Sequence, residues 1–254
     1  MDLQLKGKRA VVTGASRGIG LAIVQALAAE GVEVLGGART IGAELSEATP
    51  HTLAVDLTEA DGPARLVAHA VETFGGLDIL VNNVGGRTVS ANGFLDLDDD
   101  GWQKGFDLNF FSAVRAIRAA LPSLVESRGS IINIGSVNGR LAVPRLAEYS
   151  AAKAALTNLT KALSEEFGPQ GVRVNTVSPG PVLTDTWNSP QRAERMGMSV
   201  EDLVAAVPKW MGLTTGKIIA PEEVASIVLL LASDRLPSTT GTDWLIDAGM
   251  LKSV

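Results

Sequence analysis

The residue pair best suited to acid–base chemistry is Tyr149 and Lys153, in the segment Tyr-Ser-Ala-Ala-Lys. Tyr149 is the single tyrosine of the 254-residue chain. On a helix, residues four apart lie on the same face, one turn from each other. A fixed ammonium group favours the phenolate, so we expect Lys153 to lower the pKa of Tyr149 by about two to three units. The alternative is a helix with one tyrosine and one solvated lysine, and the surrounding motifs decide between the two.

A second candidate site is the glycine-rich segment from Gly14 to Gly20. Residues 8–13 have the pattern of a short buried strand, and apolar residues recur at helical spacing from Ile19 until Gly31. In such a strand–turn–helix unit the glycines let the backbone approach a pyrophosphate, and the helix N-terminus offers free N–H groups. We therefore predict a dinucleotide site.

The end of the second predicted strand, 32–38, indicates which cofactor binds. A carboxylate usually stands there in NAD sites, but Glu33 comes too early in the strand to reach a ribose. Arg39, and Arg17 in the glycine-rich turn, instead offer two guanidinium groups for a 2′-phosphate. We therefore favour NADP(H) over NAD(H), the alternative being two solvated surface arginines.

Two further segments follow predicted strands. Asp56-Leu57 ends a strand at 52–55, where the Asp56 carboxylate would accept from an adenine amino group or cap a helix beginning near Glu59. Asn82-Asn83-Val84-Gly85-Gly86 follows a strand at 77–81 and suits a turn whose backbone fits against a cofactor.

Asn109 and Ser136 are the remaining candidates. Asn109 lies in the middle of a helix predicted over 101–125, which Pro122 is expected to kink or end. A mid-helix asparagine is unfavourable unless its side chain has a role. Ser136 stands just past a strand at 129–135. Because ligands of open parallel sheets bind outside the carboxyl ends of the strands, we expect both residues to meet the tyrosine–lysine pair in one crevice.

Composition argues against several other classes of site. The formal net charge of −6 and the absence of a basic run argue against a nucleic-acid partner. No apolar stretch approaches the length of a membrane span, and the N-terminus lacks the pattern of a secretory signal. With no cysteine, and with His51 and His69 as the two histidines, we expect no metal site. The chain is expected to be cytoplasmic and to act on a small molecule.

Strands and helices alternate along the whole chain, which predicts a single α/β domain over 1–254 with parallel strands. The later elements are a helix over 149–167, strands at 172–177 and 242–247, and a last helix over 221–232. Residues 184–217 break the pattern, since tryptophan, methionine and leucine lie there among prolines and charges. They are either a mobile apolar lid over the pocket or the ordinary packing of a short helix.

These motifs together resemble the short-chain dehydrogenase/reductase family in its short single-domain branch, and are similar to its 3-oxoacyl-[acyl-carrier-protein] reductase-like members. The resemblance covers Gly7 to Gly249 and rests on Thr13-Gly-Ala-Ser-Arg-Gly-Ile-Gly20, Asn82-Asn-Val-Gly85, Asn109, Ser136, Tyr149-Ser-Ala-Ala-Lys153 and Ser178-Pro-Gly180. The family's usual Asn-Asn-Ala-Gly and Asp-Gly-Gly are Asn-Asn-Val-Gly and Asp247-Ala-Gly249 in this chain. The resemblance implies a Rossmann-type doubly wound sheet of seven parallel strands with helices on both faces.

The resemblance also implies hydride transfer between a nicotinamide and a carbonyl or secondary alcohol. Tyr149 is then the general acid or base, Ser136 binds the substrate oxygen, and Lys153 lowers the pKa of Tyr149 and binds the nicotinamide ribose. Asn109 holds a water that links Lys153 to solvent, and Thr184 binds the carboxamide. The implied cofactor-binding residues are Gly14, Ser16, Arg17, Gly18, Ile19, Gly20, Arg39, Asp56, Leu57, Asn83, Gly85, Tyr149, Lys153, Pro179, Gly180, Val182 and Thr184.

By the same resemblance we expect a homotetramer or homodimer built through helices 101–125 and 149–167. The alternatives to an NADP(H)-dependent enzyme are an NAD-dependent alcohol, sugar or steroid dehydrogenase, a non-catalytic cofactor sensor, and an epimerase or dehydratase. The substrate stays open, since a 3-oxoacyl thioester, a polyketide ketone, a hydroxylated ring or a sugar is compatible with the pattern. Arg87, Arg140 and Arg145 lie in segments that could reach the mouth of the pocket.

Overall fold

The structure, a computed structural model, describes residues 2–88 and 93–252. Within them the strands form one seven-stranded parallel sheet in the order β3-β2-β1-β4-β5-β6-β7. Their bounds are β1 (Arg9–Thr13), β2 (Glu33–Ala38), β3 (His51–Ala54), β4 (Ile79–Asn82), β5 (Ser130–Ile134), β6 (Arg173–Pro179) and β7 (Asp243–Ile246). The predicted doubly wound parallel sheet is confirmed. The predicted domain range 1–254 also includes residues 1, 89–92 and 253–254, which lie outside the described residues.

Helices cover both faces of this sheet. Their bounds are α1 (Gly18–Ala29), α2 (Ala43–Ala48), α3 (Gly62–Phe74), α4 (Asp99–Phe106), α5 (Ser112–Ser127), α6 (Ala147–Phe167), α7 (Pro190–Arg195), α8 (Val200–Trp210) and α9 (Pro221–Ala232). None of the helices within the described ranges has the length and apolar character needed to cross a membrane.

Two hydrophobic cores lie on opposite faces of the sheet. Successive side chains of a strand point to opposite faces, so in β1 Ala10 and Val12 join one core and Val11 joins the other. The first core is closed by α1 and α9, and the second by α3 and α5. Because both faces are covered, the strands are continuous apolar runs, which is the pattern that made them recognisable in the sequence.

The helix predicted over 101–125 is wrong in one respect: it is two α-helices, α4 and α5, joined by a π-helical turn at Asp107–Phe111. Apolar periodicity does not reveal such a turn, because one wider turn barely changes which residues face the core. Pro122 lies inside α5 and does not end it. The helix continues because Ala120 and Leu124, on either side of the proline, are fully buried in the second core.

Two other local predictions differ from the structure. Helix α2 was not predicted, because its six residues bury a single leucine, Leu45, and so show no periodicity. The helix expected near Glu59 begins at Gly62. The Asp56 carboxylate does not cap that helix but accepts hydrogen bonds from the backbone N–H and the hydroxyl of Thr58, at 2.9 and 2.8 Å.

Residues 184–217 contain the two short helices α7 and α8. Ala193, Leu203 and Val207 are buried, which is the packing of short helices that was one of the two expectations for this segment. Ser189 and Ser199 cap the two helices by accepting from the backbone N–H groups of Arg192 and Asp202.

Candidate active site

One cleft of about 840 Å³ runs along the carboxyl ends of the strands and is lined by nearly all of the predicted site residues. Those lining it are Gly14, Ser16, Arg17, Gly18, Ile19, Gly20, Arg39, Asp56, Leu57, Asn83, Gly85, Ser136, Tyr149, Lys153, Pro179, Gly180, Val182 and Thr184. Asn109 is the exception, since it lies behind the loop that forms the wall. The location agrees with the rule that ligands of open α/β sheets bind at the carboxyl ends of the strands.

The glycine-rich turn forms a cradle that side chains would fill. Gly14 has φ +65°, and a Cβ atom there would lie 2.9 Å from the Cα of Val84. A Cβ at Gly20 would collide with the carbonyl oxygen of Gly14. The N-cap residue of α1, Arg17, makes no side-chain capping hydrogen bond. The first N–H groups of α1 therefore have no side-chain cap and face the cleft, which fits a pyrophosphate.

Asn83 fixes this turn against the end of β4. Its side-chain amide donates to the backbone oxygens of Thr13 and Gly14, both at 2.9 Å. In return the backbone N–H groups of Asn83 and Val84 donate to the hydroxyl of Thr13, at 2.9 and 3.1 Å. The predicted Asn-Asn-Val-Gly motif thus positions the phosphate cradle.

Two arginines line the cleft: Arg39 directly after β2, and Arg17 at the N-cap of α1. Arg39 is exposed, and its charge adds to the Thr58 hydrogen bonds that hold the pKa of Asp56 below its usual value. Arg17 donates to Asp185 at 2.9 Å, and both side chains are at least 70% exposed. A pair this exposed contributes about 0–1 kcal/mol, so a bound phosphate can displace Asp185 from Arg17.

Asn109 is buried in the π-helical turn and holds the loop after β4. Its side-chain oxygen accepts from the N–H of Gly86 at 2.8 Å, and its amide donates to the backbone oxygens of Gly86 and Gly105, both at 2.9 Å. Both amide hydrogens and the oxygen are thus used, which explains an asparagine in this position. Its predicted role in holding a water is not tested by this geometry.

Lys153 is 2% exposed, and its ammonium group donates to the carbonyl oxygen of Ile134 at 2.7 Å. Burial lowers the pKa of Lys153 to about 8. A Cβ atom at Gly85 would lie 3.0 Å from the Nζ of Lys153 and 2.9 Å from the Oδ1 of Asn109. A side chain at Gly85 would therefore displace the ammonium group.

The structure contradicts the expected effect of Lys153 on Tyr149. Burial raises the pKa of Tyr149, and the hydrogen bond with Ser136 opposes that rise without cancelling it. The Nζ of Lys153 lies 5.9 Å from the centre of the Tyr149 ring and is bonded to Ile134 instead. Helical spacing predicted the shared face but could not predict how far burial would disfavour the phenolate.

Ser136 lies where β5 ends, beside the Tyr149 hydroxyl. Its Oγ accepts from the N–H of Asn138 at 3.1 Å, which caps the short 3₁₀ turn Val137–Gly139. Ser136, Tyr149 and Lys153 all line the cleft, and the Ser136 and Tyr149 hydroxyl groups are hydrogen-bonded to each other. Two neighbouring hydroxyl groups can bind a single substrate oxygen.

Comparisons with known proteins agree with this arrangement. A family model described as enoyl-(acyl carrier protein) reductase matches residues 14–251. The D-β-hydroxybutyrate dehydrogenase of Rhizobium meliloti is 36% identical over 255 residues, 95% of this chain and 98% of that protein. The chain belongs to the short-chain dehydrogenase/reductase family. It is an oxidoreductase of the class that interconverts CH–OH and C=O groups.

Two further members of the short-chain dehydrogenase/reductase family are similar over essentially the whole length. The 3-oxoacyl-[acyl-carrier-protein] reductase of Salmonella typhimurium is 34% identical, covering 98% of this chain and 99% of that protein. The crystal structure of L-sorbose reductase from Gluconobacter frateurii, complexed with NADPH and L-sorbose, superposes with a TM-score of 0.93 at 30% identity and full coverage of both chains.

The wall of the cleft opposite the glycine-rich turn comes from residues 184–187, and sequence reasoning identified only Thr184 there. A Cβ at Gly18 would lie 3.1 Å from the Cγ2 of Thr184, so this threonine lies over the turn. Trp187 lines the cleft, and the Arg192 guanidinium stacks on its ring at 4.1 Å. Nothing in the local sequence indicates this stacking.

Of the three arginines expected near the mouth, only Arg87 lines the cleft. Arg140 is paired with Asp243 at 2.9 Å. Arg145 is exposed, has a φ of 70° and does not line the cleft.

Proposed function

We propose that this protein is an NADP(H)-dependent oxidoreductase that transfers hydride between the nicotinamide and a carbonyl or secondary alcohol substrate. The observation that carries the proposal is that one cleft is lined by Ser136, Tyr149 and Lys153 and also by Arg17, Arg39 and the glycine-rich turn. Arg39 follows β2 and Ser136 follows β5, and the glycine-rich turn follows β1, which lies between those strands in the sheet. When bound, the nicotinamide supplies or accepts the hydride.

The protein's own part in the reaction is to bind, orient and protonate the substrate oxygen. Because the pKa of Tyr149 is raised, the phenol keeps its proton at neutral pH and can donate it to a developing alkoxide. The Ser136 hydroxyl donates a hydrogen bond to the same oxygen and stabilises its charge. The Lys153 ammonium group, which donates to the Ile134 carbonyl oxygen, keeps a positive charge near these two side chains.

The NADP(H) preference is supported by charge at the end of β2. Arg39 is exposed, and Arg17 is held only by a weak, exposed ion pair. Parallel fluorescence titrations with NADPH and NADH, on wild type and Arg39→Ala, test it. We expect about 10- to 100-fold weaker NADPH binding in the variant and unchanged NADH binding, since hydrogen bonds between charged groups contribute about 1.5–3 kcal/mol. Arg65→Ala, an exposed arginine away from the cleft, is the control.

If the two cofactors bind equally, and Arg39→Ala changes neither, the NADP(H) preference is refuted. The NAD-dependent alcohol, sugar or steroid dehydrogenase then becomes the better description. Arg39 would in that case be an ordinary surface arginine.

Tyr149→Phe tests the catalytic assignment and excludes a non-catalytic sensor. Removing the hydroxyl should lower turnover of a ketone by about 10²- to 10⁴-fold while cofactor binding is retained. Normal turnover in this variant would contradict the mechanism. A wild-type protein that binds cofactor and reduces no carbonyl compound would support the sensor instead.

We also propose the homotetramer or homodimer built through the helices around 101–125 and 149–167. Trp102, Phe106, Phe110 and Phe111 form a row of neighbouring aromatic rings that a single chain leaves half-buried. Light scattering coupled to size-exclusion chromatography measures the oligomeric state directly, and a monomer would refute the proposed homotetramer or homodimer.

A lid function for residues 184–217 and a cytoplasmic location stay predictions.

A further inference from the structure

Two arginines, Arg87 and Arg192, lie at the cleft or next to it. Arg87 is exposed and lines the cleft, and Arg192, on α7, stacks on Trp187, which lines it. Among the residues that the structure describes, neither forms an ion pair. The arginines at positions 9, 17, 65, 115 and 140 each pair with a carboxylate.

The Arg192 guanidinium is held in place by neutral groups. It stacks on the Trp187 ring at 4.1 Å and donates to the carbonyl oxygen of Thr186 at 3.3 Å. Both Thr186 and Trp187 line the cleft. A guanidinium on an aromatic face keeps its other N–H groups available, and its planar fork matches a carboxylate or a phosphate.

The positive charge of Arg87 acts on Arg192. Burial lowers the pKa of Arg192, and the positive charges of Arg195 and Arg87 lower it further. Like charges gathered in a cleft without counter-charges raise the local concentration of anions. This arrangement is unfavourable in the free protein and becomes favourable once an anion binds.

Arg87 lies near the reacting groups. Arg87 is two residues from Gly85, whose Cβ position is 3.0 Å from the Nζ of Lys153. Two residues of chain span at most about 7 Å. A small molecule held by Tyr149 can therefore place a second group next to Arg87.

We propose that Arg87 and Arg192 form an anion subsite for the substrate, so that the preferred carbonyl substrates carry a carboxylate or phosphate group near the ketone. This inference rests on the proposed oxidoreductase function and narrows its substrate class. The Nε of Arg195, also on α7, donates to the Gln191 carbonyl oxygen at 3.3 Å, and Gln191 does not line the cleft.

Matched pairs of ketones test the subsite. One pair is 3-oxobutanoate and its neutral methyl ester, and the other is dihydroxyacetone phosphate and dihydroxyacetone. The ratio of kcat/KM for the charged over the neutral ketone is measured for wild type, Arg87→Met, Arg192→Met and the control Arg195→Met. We expect the ratio to fall about 10- to 100-fold in the first two variants, since hydrogen bonds to charged groups are strong. The control should keep the wild-type ratio.

The two ketone pairs also identify the anion, because the pair with the larger ratio gives the preferred group. A wild-type ratio near one in both pairs overturns the subsite, and so does a ratio that neither Arg87→Met nor Arg192→Met changes. In both cases, turnover of the neutral ketones leaves the oxidoreductase function standing.

Binding provides a readout that does not depend on turnover. With NADP⁺ present, which cannot reduce a ketone, isothermal titration with 3-oxobutanoate measures affinity alone. Weaker binding in the Arg87→Met and Arg192→Met variants supports the subsite, whether or not a ketone is reduced. If the wild-type protein reduces no ketone, the proposed reaction is refuted, but the subsite is not. Unchanged binding in both variants overturns the subsite.

Discussion

Replacing Lys153 with methionine should change stability in a way that depends on pH. The usual lysine pKa of 10.5 is lowered to about 8 by burial in the folded protein. Between these two values the unfolded chain binds more protons than the folded chain, so the free energy of unfolding rises with pH. The difference between the two pKa values corresponds to roughly 3 kcal/mol. Below pH 8 the folded protein carries the full cost of the buried charge.

Methionine has a similar length and no charge, so it fills the space without this cost. It also loses the hydrogen bond to Ile134, which offsets part of the gain at every pH below 8. We therefore expect the stability of Lys153→Met relative to wild type to be highest at pH 7, and to fall by roughly 3 kcal/mol by pH 10.5. Activity should be lost, because the charge behind the reacting groups is gone.

The assay is urea unfolding of both proteins at fixed protein concentration between pH 7 and pH 10.5. Subtracting the two curves removes the titration of all other groups. Lys161→Met is the control, because Lys161 lies on the same helix, is 61% exposed and pairs with Glu165. Its difference from wild type should stay within about 1 kcal/mol, since an exposed ion pair contributes little. A flat difference for Lys153→Met would refute the reasoning, since it would mean that burial does not perturb this lysine.

Two predictions concern buried polar contacts away from the reacting atoms. Asn109→Ala leaves the backbone groups of Gly86 without partners, so we expect a loss of about 2–4 kcal/mol in urea unfolding and weaker cofactor binding; unchanged stability would contradict the role of the asparagine. Burial raises the pKa of Asp78, but its hydrogen bonds with Arg9 outweigh this and hold the pKa below 3.8. Asp78→Asn should therefore lower stability by about 1–3 kcal/mol at pH 7, and unfolding at pH 7 and pH 3 should show this difference shrinking, because Asp78 of the unfolded wild-type chain binds a proton below its usual pKa more readily than Asp78 of the folded protein.

The sequence by itself determined the order of the strands and of most longer helices, and it pointed to most of the residues that line the cleft. The strands are short apolar runs because both faces of a parallel sheet are covered. The glycine turn was recognisable because its backbone allows no larger side chain at Gly14 or Gly20. These constraints act on residues that are close together in the chain, so the sequence pattern shows them directly.

Only the tertiary structure decided which groups face one another and how strongly burial perturbs them. Arg17 pairs with Asp185, 168 positions away, and the positive charge of Arg87 acts on Arg192, which stacks on Trp187. The raised pKa of Tyr149 and the lowered pKa of Lys153 come from the surroundings of each group. Helical spacing could show that the two side chains share a face. Their protonation depends on how much water and which dipoles remain around each group, and those are set by elements far apart in the chain.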